Sequence, residues 1–410
     1  MAAYDITTNG SSLEFDTQNY VQAMNVMMDD NHCVLCWAGP SSHAFAQAFT
    51  INTSTWAVTT ANSSLEFDTQ GGNVNNCIKI DSTHILNIWN YSGSGSYAQV
   101  LAVNTSTWAV TTAGASFNIS TYNSSNGMGL GLMDANHAIV AFNGADEDGY
   151  IQVLEINTTT WAITAPGTAL EFDTTTYNSS GNAGQIYKID ATHCIMFWYG
   201  GAGTGWTQVF TVNTSTWAVT TSASSLNFDT YYYATGANYA IDSNHFLNFW
   251  IGGADYYTRG VVFIVNTSTW AVTTATSIYD INTTAWNNYR STVKVDGNHF
   301  ITFWSEGTTD DGFVQVYTVN TSTWAISTTV NALEFDTQNG TYDRALQIDT
   351  NHYINFWNGV DGDGFVQTFT LASAVVGPAN VKTYKGLAAA SVKTCKGLAV
   401  ASIKTKKGLN

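Results

Sequence analysis

Seven of the eight histidines sit in one motif, Asp-x-(Asn/Thr)-His: Asp29/His32, Asp81/His84, Asp134/His137, Asp190/His193, Asp242/His245, Asp296/His299 and Asp349/His352. A carboxylate three residues before an imidazole is material for acid–base catalysis or for a metal site. Catalysis needs one such pair in an environment of its own, whereas this pair recurs at regular intervals. It is therefore expected to be structural, the Asp accepting backbone N–H bonds in a turn and the His packing or bonding beside it. The same holds for Gln47, Gln99, Gln152, Gln208, Gln315 and Gln367, which also recur. His43 is outside the motif, with no partner that sequence nominates, and is expected in a loop.

Other reactive types read the same way. Cys33 and Cys36 form a CxxC, but inside the apolar run Cys33-Val-Leu-Cys-Trp37 their offset puts them on opposite faces of a strand, as core residues. Six Asn-Thr-(Ser/Thr) sequons occupy one repeated position and are expected to be Asx turns. Asp146-Glu-Asp-Gly149, Asp310-Asp-Gly312 and Asp361-Gly-Asp-Gly364 could cluster oxygen ligands for Ca²⁺. They lack the EF-hand spacing, and Asp-Gly is a favoured hairpin turn, so neither metal nor cofactor is expected.

The elements that carry these residues repeat. Asn-Thr-Ser-Thr-Trp-Ala-Val-Thr-Thr begins at Asn52, and its Trp recurs as Trp56, Trp108, Trp161, Trp217, Trp270 and Trp324, at spacings of 52 to 56 residues. In the second unit, Asn76–Ile80, His84–Trp89, Tyr97–Val103 and Trp108–Thr112 read as strands, by period-2 alternation and Asn/Asp/Ser/Gly punctuation. Four antiparallel strands per unit, repeated seven times, give an all-β, seven-bladed β-propeller over residues 1–372. The seventh unit lacks its Trp stretch, and the N-terminus supplies it. Tyr4-Asp-Ile-Thr-Thr8 followed by Leu13-Glu-Phe-Asp-Thr17 matches Trp56–Thr60 followed by Leu65–Thr69. The first strand should thus complete the last blade and hide its edge. Twelve residues beyond each aromatic stand Asp16, Asp68, Ser120, Asp173, Asp229, Asn282 and Asp336, all turn-closing types.

Antiparallel order places the Asp-x-x-His and Asn-Thr-Ser-Thr turns on one face, called lower here, together with both ends of the propeller. The loops that vary lie on the upper face. Symmetry breaks there at Trp206, Tyr231, Tyr232, Tyr233, Tyr256, Tyr257, Arg259, Trp286, Tyr289 and Arg290. Exposed aromatics with Arg make sugar-stacking platforms and interface anchors, so these residues form the candidate recognition patch.

Residues 373–410 form a basic tail with three eleven-residue repeats, carrying Lys382, Lys385 and Leu387, then Lys393, Lys396 and Leu398, then Lys404, Lys407 and Leu409. A Gly in every repeat argues against helix and for strand, Lys-Gly turn, strand, ordered against a partner. All 30 acidic residues precede Leu371, where only six cations offset them, and seven lysines follow it. The acidic body repels nucleic acid, and the tail's interleaved apolar residues fit docking on protein. The first residues lack the charged start and apolar core of a signal peptide and no apolar run reaches membrane-spanning length, so synthesis in the host cytoplasm is expected.

The Asp-x-x-His blades, the Asn-Thr-Ser-Thr-Trp hairpins and the Val-Lys-Thr-x-Lys-Gly-Leu tail resemble repeat β-propeller proteins of bacteriophage and environmental genomes. In those, Lys-Thr-x-(Asn/Lys)-Gly-Leu tails end virion or appendage proteins. The resemblance implies a non-enzymatic virion protein, a capsid decoration or tail-associated component. It would be held to other virion proteins by its tail and lower face, and would present its upper loops to a host surface or glycan. It transfers no catalytic residue. Lys385, Lys396 and Lys407 stand before the tail glycines where Asn is usual. The alternative is a soluble, lectin-like carbohydrate-binding propeller. A hydrolase or lyase with its site in the channel mouth is disfavoured, for want of an asymmetric acid–base pair.

Overall fold

The computed structural model describes residues 4–18, 20–91, 95–122, 127–175, 177, 185–231, 233–255, 257–282, 288–306, 309–328 and 330–372, and four short strands of the tail. Alternating apolar residues build seven antiparallel sheets, in which strands follow one another outward from the axis. Blade 1 is Val21–Met27, His32–Ala38, Ala44–Ile51 and Val58–Thr60. Its second strand is buried on both faces because each face meets a different neighbour. Cys33, Leu35 and Trp37 pack with Ile354, Phe356 and Val366 of blade 7, while Val34 and Cys36 pack with Cys77, Ile85 and Leu101 of blade 2. The two cysteines of the CxxC thus lie in different cores, as their offset requires. Both are fully buried, and burial pushes the Cys33 thiol up, away from the thiolate that redox or metal chemistry needs. Seven such inter-blade cores hold the ring, each buried Leu, Ile, Val or Phe contributing about 1.5–3 kcal/mol.

The ring closes through the N-terminal strand. Ile6–Asp16 pairs antiparallel with Gly364–Leu371, from Ile6 opposite Leu371 to Asp16 opposite Gly364. Leu13 and Phe15 pack into the core between blades 7 and 1, and the Tyr4 amide donates to the Ala372 carbonyl at 2.8 Å.

The outer strands differ from the sequence reading in two respects. Trp108 is in the turn, and the strand is Val110–Thr112. The segment beyond it is also no free linker: Phe117–Ser120 pairs with the same third strand, as do Leu65–Asp68, Leu170–Asp173, Leu226–Asp229, Tyr279–Asn282 and Leu333–Asp336 in their blades. The recurring Gln spans the break between the two halves. Gln99, Gln315 and Gln367 Nε2 donate at 2.6 Å to the carbonyls of Gly114, Val330 and Gly10. In the tail, Thr383–Tyr384 pairs antiparallel with Leu387–Ala388, and Thr394–Cys395 with Leu398–Ala399. The antiparallel pairing expected of the strands is thus present in two repeats. The third repeat and every tail lysine lie outside the described residues, as do the side chains of Leu387 and Leu398.

Candidate functional site

The lower face is a ring of seven equivalent stations. In the first, Asp29 Oδ1 accepts the amides of Asn31 and His32 at 2.9 and 2.8 Å, and the His32 imidazole donates from Nδ1 at 2.9 Å. The same Asp–His contact, at 2.8–3.0 Å, recurs in the other six. Each imidazole then lies flat on the aromatic of the following blade. His32 covers Trp108, His84 Trp161, His137 Trp217, His193 Trp270, His245 Trp324 and His352 Trp56, with ring centroids 3.4–3.8 Å apart. His299 covers Tyr4 at 4.0 Å, so the N-terminal strand supplies the seventh ring.

Those aromatics stand where a turn bends back. Asn52 Oδ1 accepts the Ser54 and Thr55 amides at 2.9 and 3.0 Å, making the sequon an Asx turn, and leaves Trp56 at φ 61°. All seven aromatics share this left-handed conformation, unusual for a bulky residue, and the histidine stack holds them there. Burial pushes the carboxyls of Asp81, Asp134, Asp190, Asp242, Asp296 and Asp349 up, but their amide and histidine hydrogen bonds outweigh it and hold them below the usual range. An Asp–His pair bonded and stacked in this way is committed to joining blades.

The upper face has a ring that sequence reasoning missed. The turn-closing Asp also accepts the indole N–H of the next blade's second strand. Trp37, Trp198 and Trp357 Nε1 donate at 2.7 Å to Asp16, Asp173 and Asp336, and Trp250 at 2.9 Å to Asp229. Trp89 donates to Asp68 likewise. The second oxygen accepts an amide two residues on, such as Thr175 N at 2.9 Å on Asp173. Blade 3 has Phe142 in place of the Trp, and there the Asp is replaced by Ser120. The constant 21-residue separation of Asp16/Trp37, Asp68/Trp89, Asp229/Trp250 and Asp336/Trp357 was the signal available in the sequence.

The candidate recognition patch is redrawn. Tyr233 is buried, 1% exposed, with its ring edge-on to Phe228 at 5.3 Å. It repeats Tyr20 on Phe15 and Tyr177 on Phe172, each four residues after its Asp, and belongs to the core. Trp206 is in the third strand of blade 4, stacked on Trp198; Phe45, Tyr97, Tyr150, Phe313 and Phe365 do the same in other blades, so it breaks no symmetry. Arg259 does break it, standing opposite Trp250 where six blades carry that aromatic. Its guanidinium is held by Asp255 at 3.0 Å, Asp280 at 3.3 Å and Asp229 at 3.7 Å. Tyr231 is 69% exposed, its amide donating to Asp229, and Tyr257 is half-buried at the start of the third strand. Tyr289 and Arg290 belong to the inner strand Asn288–Lys294, not to a linker. Their side chains lie outside the described residues, as do Tyr232, Tyr256 and Trp286.

The axis is lined by the inner strands. A cavity of about 480 Å³ lies among Asn25, Gln185, Asn238, Ser291, Thr292 and Arg344. Lys79, Lys188 and Lys294, in blades 2, 4 and 6, donate to the carbonyls of Met28, Met133 and Ile241 in the preceding blades. Arg344 donates to Ala23 in blade 1. Four of the body's six cations therefore staple inner strands. His43 does have a partner: its Nδ1 lies 2.5 Å from Glu66 Oε1, both half-exposed at the upper rim of blade 1. The acidic loops form tight turns, with Asp146, Asp310 and Asp361 in the left-handed region. No cluster of metal-ligating side chains occurs among the described residues.

No protein-family profile matches the chain, and no curated protein does. Among solved structures it is similar to a candidate 6-phosphogluconolactonase of Bacteroides uniformis, at 11% identity and a TM-score of 0.58, covering 77% of this chain and 85% of that one. It is also similar to Sqt1 of Saccharomyces cerevisiae, at 9% identity and a TM-score of 0.50, covering 91% and 100%. At these identities the likeness shows the fold alone.

Proposed function

We propose that this propeller is a non-enzymatic display and binding protein of a phage-like virion, docked by its tail and lower face and presenting its upper face to a host surface. The observation that supports it is the division of labour between the faces. All seven lower stations are the same Asp–His–aromatic chain, spent on joining blades, whereas Tyr231, Tyr257 and Arg259 depart from the repeat at the upper end. The chain leaves blade 7 at the lower end, where Ala372 bonds Tyr4 and Asp5, so a docked tail would leave the upper loops outward. The Lys-Thr-x-Lys-Gly-Leu repeats would dock it on other virion proteins, the described strand pairs supplying edges for sheet addition.

The test is deletion of residues 381–410. The shortened protein should keep its circular dichroism and melting temperature and lose incorporation into particles. Unchanged incorporation would overturn the proposal. The His43–Glu66 pair is the one histidine–carboxylate contact outside the repeat among the described residues, and it is the place to look for turnover. Hydrolysis of any substrate that is abolished in His43→Ala would replace the binding reading with a catalytic one.

A further inference from the structure

The geometry points to a saccharide site in the cleft between blades 1 and 2 at the upper rim, taking one neutral pyranose ring against Tyr91 and Tyr97. This rests on the reading of the upper face as a recognition surface and gives it a second, separate site. The cleft encloses about 300 Å³, the lower end of the range for small-molecule pockets. Tyr91, Tyr97 and Trp89 supply its aromatic wall, and Asp68, Gln70 and Ser116 its polar side.

The cleft arises from two departures in one blade. Two residues after the second-strand aromatic, blade 5 carries Gly252 and blade 6 Glu306, while blades 1, 3, 4 and 7 carry Gly39, Gly144, Gly200 and Gly359. A Cβ at any of these four would collide with the third-strand aromatic, Phe45, Tyr150, Trp206 or Phe365. Blade 2 has Tyr91 there instead. It admits the ring because its strands run straight on, His84–Tyr91 and Gly95–Val103, with Tyr91 opposite Gly95, where those four blades turn through a short 3-10 segment. The second is Gly72, at the position that blades 1, 4 and 5 fill with Tyr20, Tyr177 and Tyr233; blade 7 shares the glycine, as Gly340, but has Gly359 where blade 2 has Tyr91, so the two features combine in blade 2 alone. A Cβ on Gly72 would come within 2.9 Å of Ala44 and Trp89. Blade 2 thus lacks the ring that blades 1, 4 and 5 bury and has gained one at the rim.

The polar side suits hydroxyl groups. Asp68 already takes the Trp89 indole on Oδ2 and the Gln70 amide on Oδ1, at 2.7 Å. Its charge is therefore engaged and its position fixed, and each oxygen keeps a lone pair for a hydroxyl donor. Tyrosine faces stack on the apolar face of a pyranose. With 30 carboxylates before Leu371 against six cations, the body disfavours an anionic sugar.

The test is saturation-transfer NMR on the full chain with the methyl pyranosides of glucose, galactose, mannose and N-acetylglucosamine, together with an array of immobilised glycans. At least one pyranoside should receive saturation, and Tyr91→Gly, which restores the residue of five of the other six blades, should weaken binding at least tenfold with an unchanged melting temperature. Binding to free pyranosides and to the array would mark a site for any terminal sugar of that type; binding to the array alone would mark a longer surface glycan with the same ring in the cleft. No saturation and no array signal from the wild type would overturn the inference, and so would equal binding by Tyr91→Gly. Array binding lost in Tyr231→Ala and kept in Tyr91→Gly would sink this site and leave the display function standing. Failure of the tail deletion to alter incorporation would do the reverse.

Discussion

Replacing Asp173 by Ser should expose how the upper ring is held. Trp198 is 2% exposed and its indole N–H donates to Asp173 Oδ2 at 2.7 Å. Serine is too short to reach it, so a buried donor is left unpaired, at about 1–3 kcal/mol, more because the lost bond is charge-assisted. The Thr175 amide and hydroxyl, which donate to Oδ1 at 2.9 and 2.6 Å, lose their acceptor at a site open to water, adding little. The expected cost is about 2–3 kcal/mol. Blade 3 shows how the fold manages without the bond, pairing Phe142 with Ser120. Trp198→Phe alone, which leaves a smaller ring and a carboxylate short of one donor, should cost about 1 kcal/mol. The double variant Asp173→Ser/Trp198→Phe removes donor and acceptor together and should cost no more than Asp173→Ser. That gives a coupling of about 1 kcal/mol or more, within the range for contacting pairs. Urea unfolding followed by circular dichroism, with equal m-values across the cycle, measures it. Additivity within about 0.5 kcal/mol, or a silent Asp173→Ser, would refute the claim that the indole bond carries the latch.

Two further outcomes follow from the lower ring. Asp81, Asp134, Asp190, Asp242, Asp296 and Asp349 have folded-state pKa values below their unfolded ones, so their contribution is complete above about pH 5 and is lost as pH falls through the unfolded value near 4 toward the folded one. The melting temperature should fall steeply below about pH 4, and a profile unchanged from pH 5 down to pH 3 would contradict the assignment. Trp324 is held at φ 59° by its stack on His245, so Trp324→Ala loses the stack and keeps the strained backbone, whereas Trp324→Gly loses the stack and relieves it. The Gly variant should be the more stable by about 1 kcal/mol in thermal unfolding, an inversion of the usual order for these residues.

The blade count and the closing strand were legible because they are written in periodicity, which survives without knowledge of contacts. The Asp–His turns were legible for the same reason. The His32–Trp108 stack was not, since it joins residues of different blades that no local pattern relates. Tyr233 was misread: three adjacent tyrosines looked like one break in the symmetry of the upper face, and the spacing of four from Asp229, shared with Tyr20 and Tyr177, was overlooked. Arg259 was read as an exposed member of the recognition patch because its partners Asp229, Asp255 and Asp280 come from three separate segments. The cleft beside Tyr91 was hidden by the reverse effect. One Gly-to-Tyr exchange in a Gly/Ser-rich loop carries no signal until the other blades show what that position normally excludes.

The clasp between Ile6–Asp16 and Gly364–Leu371 also bears on how the molecule is made. The strand that seals the ring is translated before the blades it joins, and its partner emerges more than 340 residues later, so on the ribosome it waits as an unpaired β-segment beside growing, half-covered blades. Contacts between such distant residues form late and slowly. Until they form, blade 7 offers a bare edge to any strand nearby. Crowded synthesis should therefore favour exchange of this first strand between chains, giving linked rings in which each molecule is finished by its neighbour.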